Sequence, residues 1–94
     1  MNWGSFTKEA DVATCASFAE AVLRKEHLRV LNRSGSVLLA GNNSVVAEIA
    51  CYPSGDSSRV VVAAFSTDPQ IAERTRSDLR ATIERIVCTG PRCQ

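Results

Sequence analysis

The first third of the chain carries an amphipathic pattern. The pattern predicts a helix with one apolar side, whose other side carries polar and charged residues. Thr7 can cap this helix because its hydroxyl accepts hydrogen bonds from the free amides of a first turn. We expect this helix to end near His27. Apolar residues recur at steps of three and four, the period of one helix face, at Val12, Cys15, Ala16, Ala19, Val22 and Leu23.

Short apolar segments with turn-forming residues between them follow this helix. They predict strands over residues 28–31, 37–40, 44–52 and 59–65. Gly35 can take a positive φ in the first turn, and residues 53–58 read as a loop. The connections have hairpin length, and parallel neighbours would need a long crossover, so the sheet should be antiparallel.

A second helix is predicted near the end of the chain. Thr67 or Asp68 caps it and Pro69 suits its first turn, while Gly90 and Pro91 stop it. Its buried stripe is Ile71, Thr75, Leu79, Ile83 and Ile86. We therefore expect one α+β domain over residues 1–94. It should have an antiparallel sheet of three to four strands, both helices on one face, and the order α-β-β-β(-β)-α.

Strand alternation predicts a pairing for two of the four cysteines. In the strand 44–52, Ala47, Ile49 and Cys51 share one side, and the other side carries Glu48. The side with Glu48 is the poorer core candidate, so Cys51 should point toward the helices. Cys15 lies on the apolar face of the first helix. We expect a Cys15–Cys51 disulfide through the core.

The remaining cysteines, Cys88 and Cys93, bracket a tight turn, and a local bridge there needs little rearrangement. An even cysteine set in a short chain is typical of a disulfide framework in an exported protein. Two alternatives stay open, namely a four-thiolate zinc site and free buried thiols. We expect disulfides, and neither a metal nor a cofactor.

Parts of the sequence resemble a group of small exported bacterial proteins of unknown function. The similar segments are residues 15–23, 28–30, 37–41, 49–51 and 59–62, within a span of about residues 12 to 86. The resemblance implies a periplasmic or secreted setting and again the Cys15–Cys51 pairing, but no activity. This chain departs from the group at Glu26 and His27, where a Gly-aromatic pair is more usual, and in the extra Cys88/Cys93 pair.

Charge and hydropathy exclude some classes of partner. Eleven basic and ten acidic side chains give a net charge of +1, too balanced to favour nucleic acid. No apolar run approaches the roughly 20 residues that span a bilayer. An exported chain needs a signal peptide, and residues 1–6 have neither its basic nor its apolar region. We expect that a signal peptide preceded this sequence and was removed.

Candidates for chemistry are few. His27 is the only histidine, so no triad or histidine cluster can form, and a solvated helix cap is its simplest role. Glu48 projects from a largely apolar strand face, either as a paired or edge-exposed carboxylate or as a ligand contact. Arg76 and Arg80 are helical neighbours that either face water or hold an anion.

The strand 59–65 is apolar on both faces, although helices can cover only one face of the sheet. The sheet face that the helices leave uncovered is predicted to bind a second copy of the chain or an unidentified envelope protein. Alternatively, Trp3 and Phe6 of the same chain cover it. We expect a non-catalytic binding module; the alternative is a small enzyme or enzyme inhibitor that uses Glu48, Tyr52 and nearby arginines. The interaction surface comprises Val46, Ala50, Tyr52, Val61, Ala63 and Phe65.

Overall fold

The protein is an α+β domain. A computed structural model describes residues 2–55, 57–85, 88–89 and 92–93, with side chains described over 3–55 and 57–85. The elements in chain order are β1 (Asn2–Lys8), α1 (Val12–Lys25), β2 (Arg29–Ser34), β3 (Val37–Gly41), β4 (Val46–Ser54), β5 (Ser57–Phe65), α2 (Pro69–Arg85), β6 (Cys88–Thr89) and β7 (Arg92–Cys93).

The main sheet has five antiparallel strands in the order β1-β5-β4-β3-β2. The expected sheet of three to four strands and the expected order, with a helix first, are therefore wrong. The missed element is β1, which pairs with β5 from Asn2↔Ala64 to Lys8↔Ser58. Its local pattern gives no strand signal because Phe6 shares its side of the strand with Gly4 and Lys8 rather than with other apolar residues. Backbone pairing to a distant strand, not local hydrophobicity, defines it.

Helix α1 begins later than its sequence pattern suggested. Thr7 lies in β1, and the cap is Asp11, whose Oδ1 accepts from the amide of Thr14 at 2.7 Å. At the other end His27 has a left-handed φ of 61°. Hydrogen bonds from the His27 amide to the Arg24 carbonyl and from the Leu28 amide to the Leu23 carbonyl complete a Schellman motif.

Helix α2 starts at the predicted place. Pro69 is its first residue, and Asp68 Oδ1 accepts from the amide of Gln70 at 2.9 Å. Leu79 and Ile83 are buried as expected. Ile86 and the proposed stop at Gly90 and Pro91 lie outside the described residues. Neither helix of the described chain is long and apolar enough to cross a membrane.

The β4–β5 hairpin is tighter than its composition suggested. The loop expected over residues 53–58 is mostly strand, since Pro53 pairs with Ser58 and Ser54 with Ser57. Gly55 has a φ of 62° at the tip. Gly35 likewise has a φ of 61° in the β2–β3 turn, as predicted.

The core lies between one face of the sheet and the two helices. Ser58 is the one buried polar residue within the described side chains, and its hydroxyl donates to the Ala10 carbonyl at 2.7 Å. This bond ties β5 to the β1–α1 connection. The inward residues of the three central strands are Leu38, Ala40, Ala47, Ile49, Cys51, Val60, Val62 and Ala64.

Candidate interaction face of the sheet

A disulfide joins α1 to β4. Cys15 and Cys51 are bonded across a Cα–Cα distance of 6.2 Å and a sequence separation of 36. Both side chains are buried in the core, as the strand alternation predicted. The backbones of Cys88 and Cys93 lie opposite each other in β6 and β7. Their side chains, and so the expected second bridge, lie outside the described residues.

We use the term outer face for the side of the sheet that points away from the helices. Strand register brings the predicted interaction residues together there as neighbouring pairs. Val46 lies opposite Phe65, Ala50 opposite Val61, and Ala63 opposite Glu48. Tyr52, the sixth predicted residue, follows on the same face of β4 opposite Arg59, and Trp3 joins the face from β1 opposite Ala63.

Large apolar side chains are exposed around small ones on this face. The exposed fractions are 61% for Trp3, 57% for Leu31, 48% for Tyr52, 39% for Phe65 and 37% for Val46. Val61 and Ala63 between them are half-buried. Ala50 is only 1% exposed because its cross-strand neighbours Val37 and Val61 cover it, so it cannot contribute much to a contact.

Leu31 was not identified from the sequence as part of this face. The pairing of β2 with β3 shifts by one residue between Val30 and Asn32, which leaves Leu31 in a β-bulge. Its Cδ1 lies 3.6 Å from the place a Cβ on Gly41 would take, and Val46 Cγ2 lies 3.5 Å from the same place. Gly41 therefore leaves room for these two side chains to converge. A register shift has no local sequence signal that would have revealed it.

Phe6 does not cover the outer face. It packs against the core on the helix side, with the Arg80 guanidinium 5.2 Å from its ring centroid. Of the two residues considered as internal cover, only Trp3 lies on the outer face, at its β1 edge.

Two charged residues, Glu48 of β4 and Arg59 of β5, stand on the two central strands of this surface. Glu48 is half-buried, and no hydrogen bond or ion pair joins its carboxylate to another residue of the described chain. Arg59 is exposed, and its Nη2 donates to the Ser5 hydroxyl at 3.2 Å. Glu48 pairs with Ala63, four residues along β5 from Arg59, which is about 13 Å at the rise of a strand. The two charges are too far apart to meet within one chain.

The far edge of the sheet is less suited to a partner than its outer face. Edge strand β2 contains the bulge at Leu31 and two arginines, Arg29 and Arg33. Bulges and charged side chains are common devices that prevent another strand from adding to an edge. Arg33 is also held toward α1 by its contact with Glu20 at 3.5 Å.

The residues named for a catalytic or inhibitory role do not converge on one site, although Tyr52 lies opposite Arg59 in the β4–β5 pairing. Glu48 and Tyr52 share the outer face of β4, separated by about 13 Å along the strand. Arg76 and Arg80 belong to α2 on the other side of the sheet, and Arg80 is ion-paired with Glu84. His27 is exposed at the end of α1. Within the described chain, no three His, Cys, Asp or Glu residues form a group that could hold a metal.

A shallow depression of about 380 Å³ lies on the surface of α2. It is open to solvent, and the pairing of Arg80 with Glu84 neutralises part of its charge. Its lining is Arg76, Ser77, Arg80, Ala81, Glu84 and Arg85.

Comparison with known proteins adds information on the fold alone. No protein-family model and no curated protein matches this chain. Among solved structures, the fold is similar to that of TTHA0849 from Thermus thermophilus, with a TM-score of 0.51 and 14% sequence identity. The match covers 87% of this chain and 92% of that one. At this identity the similarity concerns backbone architecture and carries no activity.

Proposed function

We propose that this protein is a non-catalytic interaction module that works in the periplasm or as a secreted protein and binds its partner with the outer face of the sheet. One observation carries the proposal. Trp3, Leu31, Val46 and Phe65 are large apolar side chains exposed near one end of the outer face, and Tyr52 is exposed toward the other end. Contiguous apolar surface of this kind is typical of binding sites, whereas single exposed apolar residues are common everywhere.

The location rests on the disulfide and on the resemblance to small exported bacterial proteins. The Cys15–Cys51 bridge lies in the core and closes a loop with a sequence separation of 36. Such structural bridges persist in oxidising compartments and are rare where thiols are kept reduced.

The separation of the candidate reactive groups within the described chain supports a binding role over a catalytic one. A general acid or base has to stand within hydrogen-bond reach of its partner group or be bridged to it by one water. Glu48 is about 13 Å from Tyr52 along β4, and the arginines of α2 lie beyond the sheet. A sheet face with one carboxylate among apolar residues suits recognition.

Site-specific photo-cross-linking in producing cells tests this proposal. A photoreactive amino acid replaces Phe65 on the outer face in one variant and Arg74, an exposed residue of α2, in the matched control. We expect a discrete cross-linked product from position 65 and none from position 74. No product from position 65, or equal products from both positions, would overturn the proposal.

A further inference from the structure

We infer that the partner of the outer face is a second copy of this chain, packed face to face. The two copies are related by a two-fold axis that lies between the two sheets, parallel to their planes and perpendicular to the strands. In this arrangement Glu48 of each subunit meets Arg59 and Tyr52 of the other. The inference rests on the proposed binding role of the outer face and names its occupant. It is carried by the positions of the two charges and by the size of the face.

The size of the outer face fits a small symmetric interface. Five strands spaced about 4.8 Å apart, with lengths of roughly 17–30 Å, present about 500–700 Å². Stable interfaces bury roughly 600–1,000 Å² on each partner, so this face reaches the lower end of that range. We therefore expect a reversible dimer rather than a permanent assembly.

The charge positions favour one of the two face-to-face arrangements in which the strands of the two sheets are aligned. Along β4 and β5, Ala50 and Val61 form the middle pair, with Glu48 two residues to one side and Tyr52 and Arg59 two residues to the other. A two-fold axis that lies over the middle pair and perpendicular to the strands exchanges these two positions along the strands. Glu48 then stands opposite the partner's Tyr52, and the partner's Arg59 is one strand, about 4.8 Å, to the side.

Side-chain length allows this contact. Packed sheets lie about 10 Å apart, a gap that a glutamate and an arginine can bridge from opposite sides. Arg59 is exposed, and one hydrogen bond joins its side chain to the Ser5 hydroxyl. The Glu48 carboxylate has no hydrogen-bond or ion-pair partner within the described chain. Each dimer would gain two such pairs, because an isologous interface repeats every contact.

The other aligned arrangement, with the axis parallel to the strands, is electrostatically unfavourable. It keeps each residue at the same position along the strands as its copy, so the two Glu48 carboxylates approach each other near the centre. Arg59 then stays about 13 Å away along the strands. Burying like charges together or leaving a buried carboxylate unpaired is costly. Reciprocal Glu48–Arg59 pairing avoids both costs.

Charge reversal tests the inference by sedimentation equilibrium on the oxidised protein. We expect a reversible dimer for the native chain. Glu48→Arg and Arg59→Glu should each raise the dissociation constant at least about 100-fold, since like charges then face each other twice. An equimolar mixture of these two variants should form a heterodimer with near-native affinity, because both cross-pairs become opposite in charge again. Glu73→Arg and Arg74→Glu on exposed α2 positions are the matched controls and should dimerise like the native chain.

A double variant in one chain, Glu48→Arg with Arg59→Glu, keeps the test independent of how either single variant folds. It should dimerise with near-native affinity. The inference is overturned if the native chain stays a monomer up to submillimolar concentration, if the single variants dimerise as the native chain does, or if neither the mixture nor the double variant recovers. If the chain is a monomer but still cross-links from position 65 to a different protein, the inference of self-association falls and the proposed binding role stands. The absence of any cross-link removes the binding role itself.

Discussion

Cys15 of α1 is covalently bonded to Cys51 of β4, and both side chains are buried among the residues that join the helices to the sheet. The bridge connects an early helix with a central strand, and the segment between the two cysteines contains β2 and β3. It therefore restricts the unfolded chain over β2, β3 and the first part of β4. A small domain buries a limited share of its surface, so such a restriction adds to its stability.

Removal of the core disulfide should destabilise the protein strongly. For a sequence separation of 36, chain entropy predicts that the double substitution Cys15→Ala, Cys51→Ala lowers the free energy of unfolding by about 4 kcal/mol. Guanidinium unfolding of the native and substituted chains measures this difference. The control is the double substitution Cys88→Ala, Cys93→Ala. The bridge predicted between these two cysteines would close a much shorter loop, so its removal should cost about 2 kcal/mol. An equal or smaller loss at the core pair would contradict this account.

His27 occupies a backbone conformation that favours glycine. Its φ of 61° in the Schellman motif costs a non-glycine residue roughly 1 kcal/mol, and the side chain is exposed. We expect His27→Gly to raise the free energy of unfolding by about 0.5–1 kcal/mol, a Tm increase of several degrees in a domain of this size.

The matched control for His27 is Ala21→Gly, an exposed position inside α1. There glycine should lower stability by about 1 kcal/mol. Thermal unfolding followed by circular dichroism compares the two variants. A Tm of His27→Gly at or below the native value would show that the left-handed residue carries no strain.

Asp11 should make the stability of α1 dependent on pH. The backbone hydrogen bond from Thr14, and then that residue's side-chain hydrogen bond, hold the pKa of the Asp11 carboxyl below its ordinary value of 3.8. Because the folded-state pKa is the lower one, the charged cap stabilises the fold above pH 3.8, and this contribution disappears as pH falls through the lowered folded value.

The variant Asp11→Asn isolates this contribution, because asparagine retains a capping oxygen without the charge. The native chain should have the higher Tm at neutral pH, and the difference should shrink in strong acid. Asp78→Asn, at an exposed position inside α2, is the control for the loss of one carboxylate. A difference for Asp11→Asn that grows as pH falls would reverse the predicted sign.

The sequence predicted those parts of the fold that depend on local period. Alternation along β4 assigned Ala47, Ile49 and Cys51 to the core face, and helical spacing assigned Cys15 to meet them. The same alternation collected the outer-face residues of β4 and β5. These predictions succeed because burial on one face imposes a period on each element separately.

Two features of the outer face could not be predicted in this way. Strand β1 exists because it pairs with β5, and the paired residues are 50 or more positions apart in the chain throughout the register. Leu31 reaches the face only because the β2–β3 register shifts beside it. Both depend on which strands become neighbours, which is a tertiary property that no short window of sequence contains.

Trp3 reports directly on the central claim, that the outer face is the contact surface between two copies of this chain. It is the only tryptophan of the chain, it lies on the outer face, and 61% of its surface is exposed in the single subunit. Its fluorescence emission should be measured from high nanomolar to submillimolar protein, with sedimentation on the same samples. We predict a shift to shorter wavelength that follows the rise in mass and is absent in Glu48→Arg. An emission maximum that stays constant over the whole range, with the mass of one chain throughout, would contradict self-association through this face.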